Sequence, residues 1–232
     1  MAKVVDSGKS KPRIRSVPTV PAPLVLKGVT YDMYHELRDE PANEHMRMTY
    51  HNGTLEIMSP EYVHELSSRR LGMFIGLLTA ELAIPCQGTA STTFRRGTNR
   101  LKRGVGKEPD ESFYFVNLGQ ILGKSTIDLE VDPPPDLWIE VDHRASSAGR
   151  LVIFAEMKVP EIWRYQVQTR KIWFGVLRDG KYHKVERSGV LPMLRPAQVV
   201  EAIDLGEGHS ESAWIRNVQA WIRQQFVPKE GS

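Results

Sequence analysis

The sequence predicts a single α+β or α/β domain, and three observations carry that expectation. A β-hairpin signal stands near the N-terminus. One long amphipathic helix follows it. Strand-like alternating segments then occupy most of the second half, before two closing helices.

The elements follow in order. Thr30 reads as an N-cap, with Met33, Tyr34 and Leu37 behind it at helical spacing. In the run Arg47–Met58, Asn52-Gly53 sits between two alternating stretches, a strong hairpin signal. That register pairs Tyr50 with Leu55 and Met48 with Ile57, and puts Glu56 on the opposite face. A helix is expected from about Glu61 to Leu82, with Leu71, Phe74, Ile75, Leu78 and Leu82 on one stripe. Ser91 to Arg95 reads as a strand, Arg96 to Lys107 as a basic loop and Glu111 to Val116 as a further strand. Residues 117–135 read as a long connection, and Leu137 to Asp142 as a strand. A short helix is expected over Arg150–Met157, ending before Pro160. Strands follow at Ile162–Val167 and Ile172–Leu177, and Asp179-Gly180 turns the chain into Lys181–Glu186. The closing helices fall near Pro196–Ile203 and Glu211–Phe226.

Composition narrows the class. With 232 residues, 41% apolar and 25% charged, the chain can bury a substantial core. One domain over 26–228 is expected, preceded by a basic, Pro-rich tail over 1–25 that lacks periodicity and reads as disordered. Those 25 residues hold five Lys or Arg against one Asp, so they supply +4 of a total of +3 and leave the body at −1. Net charge therefore gives no argument for nucleic acid. Cys86 is the single cysteine, which excludes an intrachain disulfide and any zinc site built from several cysteines. No apolar run approaches the roughly 18 residues of a membrane span, and no signal core opens the chain, so a cytoplasmic protein without membrane contact is expected.

The chemistry-bearing stretch is Pro133-Pro-Pro-Asp-Leu-Trp-Ile-Glu-Val-Asp142. Alternation puts Glu140 and Asp142 on one face of the strand and Leu137, Ile139 and Val141 on the other. A second acid stands upstream in Glu108-Pro-Asp-Glu-Ser-Phe-Tyr-Phe115. Acids on neighbouring strand ends are how an oxygen-rich Mg²⁺ or Mn²⁺ site is built. Asp136 reads as a turn residue, and Trp163 and Tyr165 as core.

Five motifs in order resemble the Uma-two family of endonuclease-like proteins. They are Tyr50-His-Asn-Gly-Thr-Leu-Glu-Ile-Met-Ser-Pro60 with His64, then Ser91-Thr-Thr93, Glu108-Pro-Asp110, Pro135-Asp-Leu-Trp-Ile-Glu-Val141 and Val159-Pro-Glu-Ile-Trp163. The resemblance runs from about residue 28 to 205. It implies the restriction-endonuclease-like PD-(D/E)XK fold, a mixed sheet flanked by helices. It also implies Mg²⁺-dependent hydrolysis of DNA phosphodiester bonds, with Mn²⁺ as the substitute ion, and a homodimer. Carried over by position, Asp110 and Glu140 are the motif acids and hold the metal, with the Val141 carbonyl as a third ligand. Asp142 joins them or serves a second ion. The family's helix lysine is Arg150 here. Arginine stays charged and cannot serve as a base. Arg150 is therefore expected to orient water or neutralise a phosphate oxygen, and the metal to acidify the water. His64 is expected at the substrate, with a capping or buried structural histidine as the competing account. Two rivals stand beside the nuclease: a degenerate module kept for binding or assembly, and a metal-free glycosidase using Asp110 and Glu140 as its acid pair.

Overall fold

The computed structural model describes residues 23–59, 61–99, 103–142 and 149–227. The expectation of disorder falls almost wholly on residues outside that set. Leu24 and Val25, placed in the tail by the boundary at 25, are the first residues of a strand.

The chain runs β1 (Leu24–Lys27), α1 (Tyr31–Asp39), a 3₁₀ turn (Pro41–Asn43), β2 (Arg47–His51), β3 (Thr54–Met58) and α2 (Tyr62–Glu81). It continues through β4 (Gln87–Gly88), β5 (Phe94–Asn99), β6 (Arg103–Lys107), β7 (Glu111–Tyr114), α3 (Leu118–Ile121) and β8 (Leu137–Asp142). It closes with α4 (Gly149–Glu156), β9 (Glu161–Gln166), β10 (Lys171–Arg178), β11 (Lys181–Val185), α5 (Pro196–Asp204) and α6 (Glu211–Phe226). The fold is mixed α and β, as expected.

Two sheets organise it. An antiparallel sheet of order β1-β3-β2-β6-β5 carries the N-terminal hairpin. Asn52 and Gly53 both have positive φ, 44° and 94°, the backbone that a tight two-residue turn demands. Tyr50 faces Leu55 and Met48 faces Ile57, the expected register. The second sheet has the order β11-β10-β9-β8-β7-β4. In it β8 and β9 run parallel, joined by α4, and their neighbours run antiparallel. No helix among the described residues is long and apolar enough to cross a membrane.

The long helix α2 forms because its apolar stripe finds a wall. Leu71, Phe74, Ile75 and Leu78 are buried against Leu137, Ile139 and Val141 of β8 and against Trp214, Val218 and Ile222 of α6. Each such side chain contributes about 1.5–3 kcal/mol on burial. The other face of the sheet is covered by α4 and the first sheet, where Trp138 packs with Phe94, Ile153 and Phe154. So β8 is the central plank, and all six of its residues are buried.

Several segments differ from expectation: the strand expected over Ser91–Arg95 begins only at Phe94, and α3 interrupts the connection expected over 117–135. Arg96–Asn99 and Arg103–Lys107, expected as loop, lie in strands: β5 and β6 form an antiparallel pair with an irregularity between Arg96 and Asn99. Strand β1 gave no signal, because its residues are exposed and its order comes from pairing with β3.

Candidate active site

Glu140 points into the layer between the large sheet and α4, on the face it shares with Trp138. The residue is 3% exposed. The indole Nε1 of Trp138 donates to Oε1 at 2.6 Å, and the Lys107 ammonium lies 3.1 Å from Oε2. Burial pushes this carboxyl up from its usual range, and the nearby Asp110 adds to that. Lys107, Arg150 and the Trp138 donor oppose it.

Asp110 stands just before β7, whose antiparallel pairing with β8 brings it beside Glu140. Its own N–H donates to the Ile139 carbonyl at 3.2 Å, and its Oδ2 accepts from the Val141 N–H at 2.7 Å. The carbonyl and N–H of a strand residue point the same way, so the Val141 carbonyl also lies on the Asp110 side. His64, in the first turn of α2, reaches Asp110 Oδ2 with Nε2 at 3.2 Å and Glu65 Oε1 with Nδ1 at 3.1 Å. Burial alone would raise the Asp110 pKa, but the His64 contact, Lys107 and the Val141 N–H outweigh it and hold the carboxyl low. For His64 burial works downward, and the Asp110 and Glu65 carboxylates overcome it, raising the ring to about 9. The two carboxylates thus favour the protonated ring.

The structure thus brings Asp110, Glu140, Val141 and His64 together. Asp142 sits differently. Its Oδ2 accepts from Nε and Nη2 of Arg164 at 3.0 and 2.6 Å, so it is committed to a guanidinium. Arg150 bridges outward from it, 3.8 Å from Asp142 Oδ1 and 3.7 Å from Glu56 Oε2, and its buried Nε has no partner among the described residues. Asp136 is structural, as read: its carboxylate accepts from the backbone N–H groups of Phe115 and Asn117 at 2.7 and 3.0 Å. Trp163 is buried and stacks on Phe174, 4.2 Å between centroids.

Sequence reasoning missed two groups. Lys107 falls in the segment that reads as a loop, yet it is the last residue of β6, 6% exposed, with its ammonium 5.9 Å from the Phe154 ring centre. The alternating Gly104-Val105-Gly106-Lys107 immediately before Glu108-Pro-Asp110 was the available signal. Glu111 reads in the sequence only as the first residue of a strand. Burial and then the Asp110 charge push its carboxyl up to about 7.

The donor set suits a hard cation. Two buried carboxylates and a backbone carbonyl are oxygen ligands, and Mg²⁺ takes one or two carboxylates and keeps several waters. Among the described residues no group of three or more His, Cys, Asp or Glu side chains is arranged to hold a metal.

A family model described as "Putative restriction endonuclease", named Uma2, matches residues 31–205. The chain belongs to the Uma2 family. A solved structure from Anabaena variabilis, described as a "putative nuclease belonging to DUF820", is similar at 13% identity and a TM-score of 0.47, covering 84% of this chain and 99% of its own. A search of curated proteins found no match. The Uma2 match spans the hairpin, α2 and both motif acids.

Proposed function

We propose that this member of the Uma2 family is a Mg²⁺- or Mn²⁺-dependent endonuclease that hydrolyses DNA phosphodiester bonds. The observation that carries the reading is the buried pair Asp110 and Glu140, held on adjoining strand ends with opposed pKa shifts. A fold does not bury two like charges for stability. Environments that push two acids apart are typical of a working site.

Asp110, Glu140 and the Val141 carbonyl would hold the ion. Bound there, it would lower the pKa of a coordinated water and stabilise charge on the phosphate. The chain's own residues do the rest. The N–H of Val141 fixes the Asp110 carboxylate, and the Trp138 indole fixes that of Glu140. Lys107 supplies the buried positive charge that the family's helix lysine would otherwise bring, and it stands beside Glu140. Protonated His64 and the half-free Arg150 flank the acids as cations for phosphate oxygens. Exclusion of bulk water strengthens each of these contacts.

A second reading is a degenerate module without catalysis. It is favoured by the fact that both oxygens of Glu140 already have donors. Degradation of plasmid and single-stranded DNA with Mg²⁺ or Mn²⁺, against an EDTA blank, separates the two. The nuclease reading predicts cleavage that is lost in Asp110→Asn. Mn²⁺ binding without any cleavage would favour the module.

A further inference from the structure

The face of the sheet that carries Glu140 does not stop at β8. Directly opposed residues of paired strands share a face. Glu140 stands opposite Arg164 of β9, which stands opposite Trp173 of β10. One step along, Asp142 stands opposite Gln166, which stands opposite Lys171. Lys184 of β11 faces Gly175, two residues on from Trp173 and so on the same side. Of these, Asp142, Arg164, Gln166, Lys171, Trp173 and Lys184 line an open cleft of about 650 Å³, which is closed at the end of the sheet by Pro196, Ala197 and Val200 of α5. The acid site and the cleft therefore adjoin, with Trp173 two strand spacings, about 10 Å, from Glu140.

The aromatic floor has a local cause. A Cβ at position 175 would come 2.3 Å from Cζ3 of Trp173, so only glycine lets the indole lie along the sheet there. The residue is half-buried, packed along one side against the cluster of Trp138 and Phe154. The Arg164 guanidinium, tied to Asp142, lies 5.7 Å from its centre. Lys171 and Lys184 are exposed, and neither is ion-paired among the described residues. A flat aromatic surface with two uncommitted cations beside it matches a base and its phosphates.

We propose that this cleft holds one strand of DNA, with a base stacked on Trp173 and neighbouring phosphates on Lys171 and Lys184, and feeds the strand toward Glu140. The choice of polymer rests on the nuclease reading. The choice of one strand rests on the cleft itself. Its volume is that of a small-molecule pocket, enough for a nucleotide and too small for a duplex. A base inside a duplex is stacked on both faces and has none to offer an indole.

The test is fluorescence anisotropy of labelled single-stranded and duplex DNA with EDTA present, so that nothing is cut. Wild type, Trp173→Phe, Trp173→Ala and the double variant Lys171→Glu/Lys184→Glu are compared after melting curves confirm that each is folded. Single strands should bind more tightly than duplex. Trp173→Ala should lose about tenfold in affinity and Trp173→Phe much less. The double charge reversal acts at exposed positions, so it reports even if Trp173→Ala fails to fold. It should lose more than tenfold and flatten the salt dependence. Unchanged single-strand binding in the folded variants would overturn the proposal. So would equal competition by polyglutamate, which marks a general anion site. Plasmid cleavage by the wild type runs in parallel. Cleavage with unaltered variant binding would sink the cleft and leave the nuclease standing. Trp173-dependent binding without cleavage would keep the cleft and sink the nuclease.

Discussion

Two glutamates in this protein sit in nearly the same local setting and are completed by different partners. Glu140 on β8 accepts from the indole of Trp138, and Glu161 on β9 accepts from that of Trp163, at 2.6 and 2.7 Å. The strands are adjacent and parallel, and the two acids are 3% and 2% exposed. They point to opposite faces of the sheet. Glu161 is completed by backbone N–H groups of Gly189 and Val190 at 2.7 and 3.2 Å, so it pins a loop to the core. Glu140 is completed by ionisable groups, Lys107 beside it and Asp110 against it. Neutral fixed donors make a structural acid. Charged neighbours that disagree about its proton are what the proposed metal site would use.

The sharpest break in that comparison is one substitution made twice. Glu140→Gln should cut metal-dependent DNA cleavage by at least about a hundredfold, since it removes the charge a cation needs. Its melting temperature should stay close to wild type, because repulsion with Asp110 disappears along with the Lys107 pair. Glu161→Gln should do the reverse. Its amide N–H₂ would face backbone donors, costing about 2–4 kcal/mol of stability, while cleavage by the protein that remains folded persists. Plasmid degradation and thermal unfolding read both.

Lys107→Met should come next in size. It leaves Glu140 buried without its counter-ion, at a cost of about 3 kcal/mol. Glu140→Gln added to it should recover most of that loss. A double-mutant cycle by urea unfolding measures the coupling, and additive losses would show that the pair does not interact.

Stability should also fall with pH on the Asp110 side of the site. The folded-state pKa of His64 is raised from 6.5 to about 9. A raised pKa means the folded state binds the extra proton, so this contribution is full below 6.5 and is lost as pH climbs through 9. The full swing is on the order of 3 kcal/mol. Glu111, raised from 4.5 to about 7, adds a loss of the same sign over that lower range. Urea unfolding from pH 6 to 9.5 should show the decline in wild type and a flatter curve in His64→Gln.

The smallest effect is expected at Arg150. Arg150→Lys should keep activity or raise it modestly, and Arg150→Ala should lower turnover more than metal affinity. Steady-state cleavage against Mg²⁺ concentration separates those two.

Much of this was legible in the chain because period and turn chemistry are local. The hairpin register followed from Asn52-Gly53, and Thr30 does accept from the Met33 N–H at 3.1 Å. The apolar stripe of α2 was readable for the same reason. What escaped was decided by partners distant in sequence. Strand β1 has no buried face of its own and is ordered by β3. The β5–β6 pair reads as a loop because glycines and basic residues mask its alternation. Asp110 and Glu140 were readable by motif, whereas Lys107 acquires meaning only when β6 ends beside β8. The alternation that exposes Trp173 was visible, but the glycine that flattens it matters only once β10 is folded.

The most direct test of the site is Mn²⁺ binding, followed by calorimetry or by the loss of free-ion paramagnetic signal. One high-affinity ion per chain is expected in wild type and in Glu161→Gln, and none in Asp110→Asn or Glu140→Gln. Binding that survives loss of both Asp110 and Glu140, or that disappears with Glu161, would contradict the assignment.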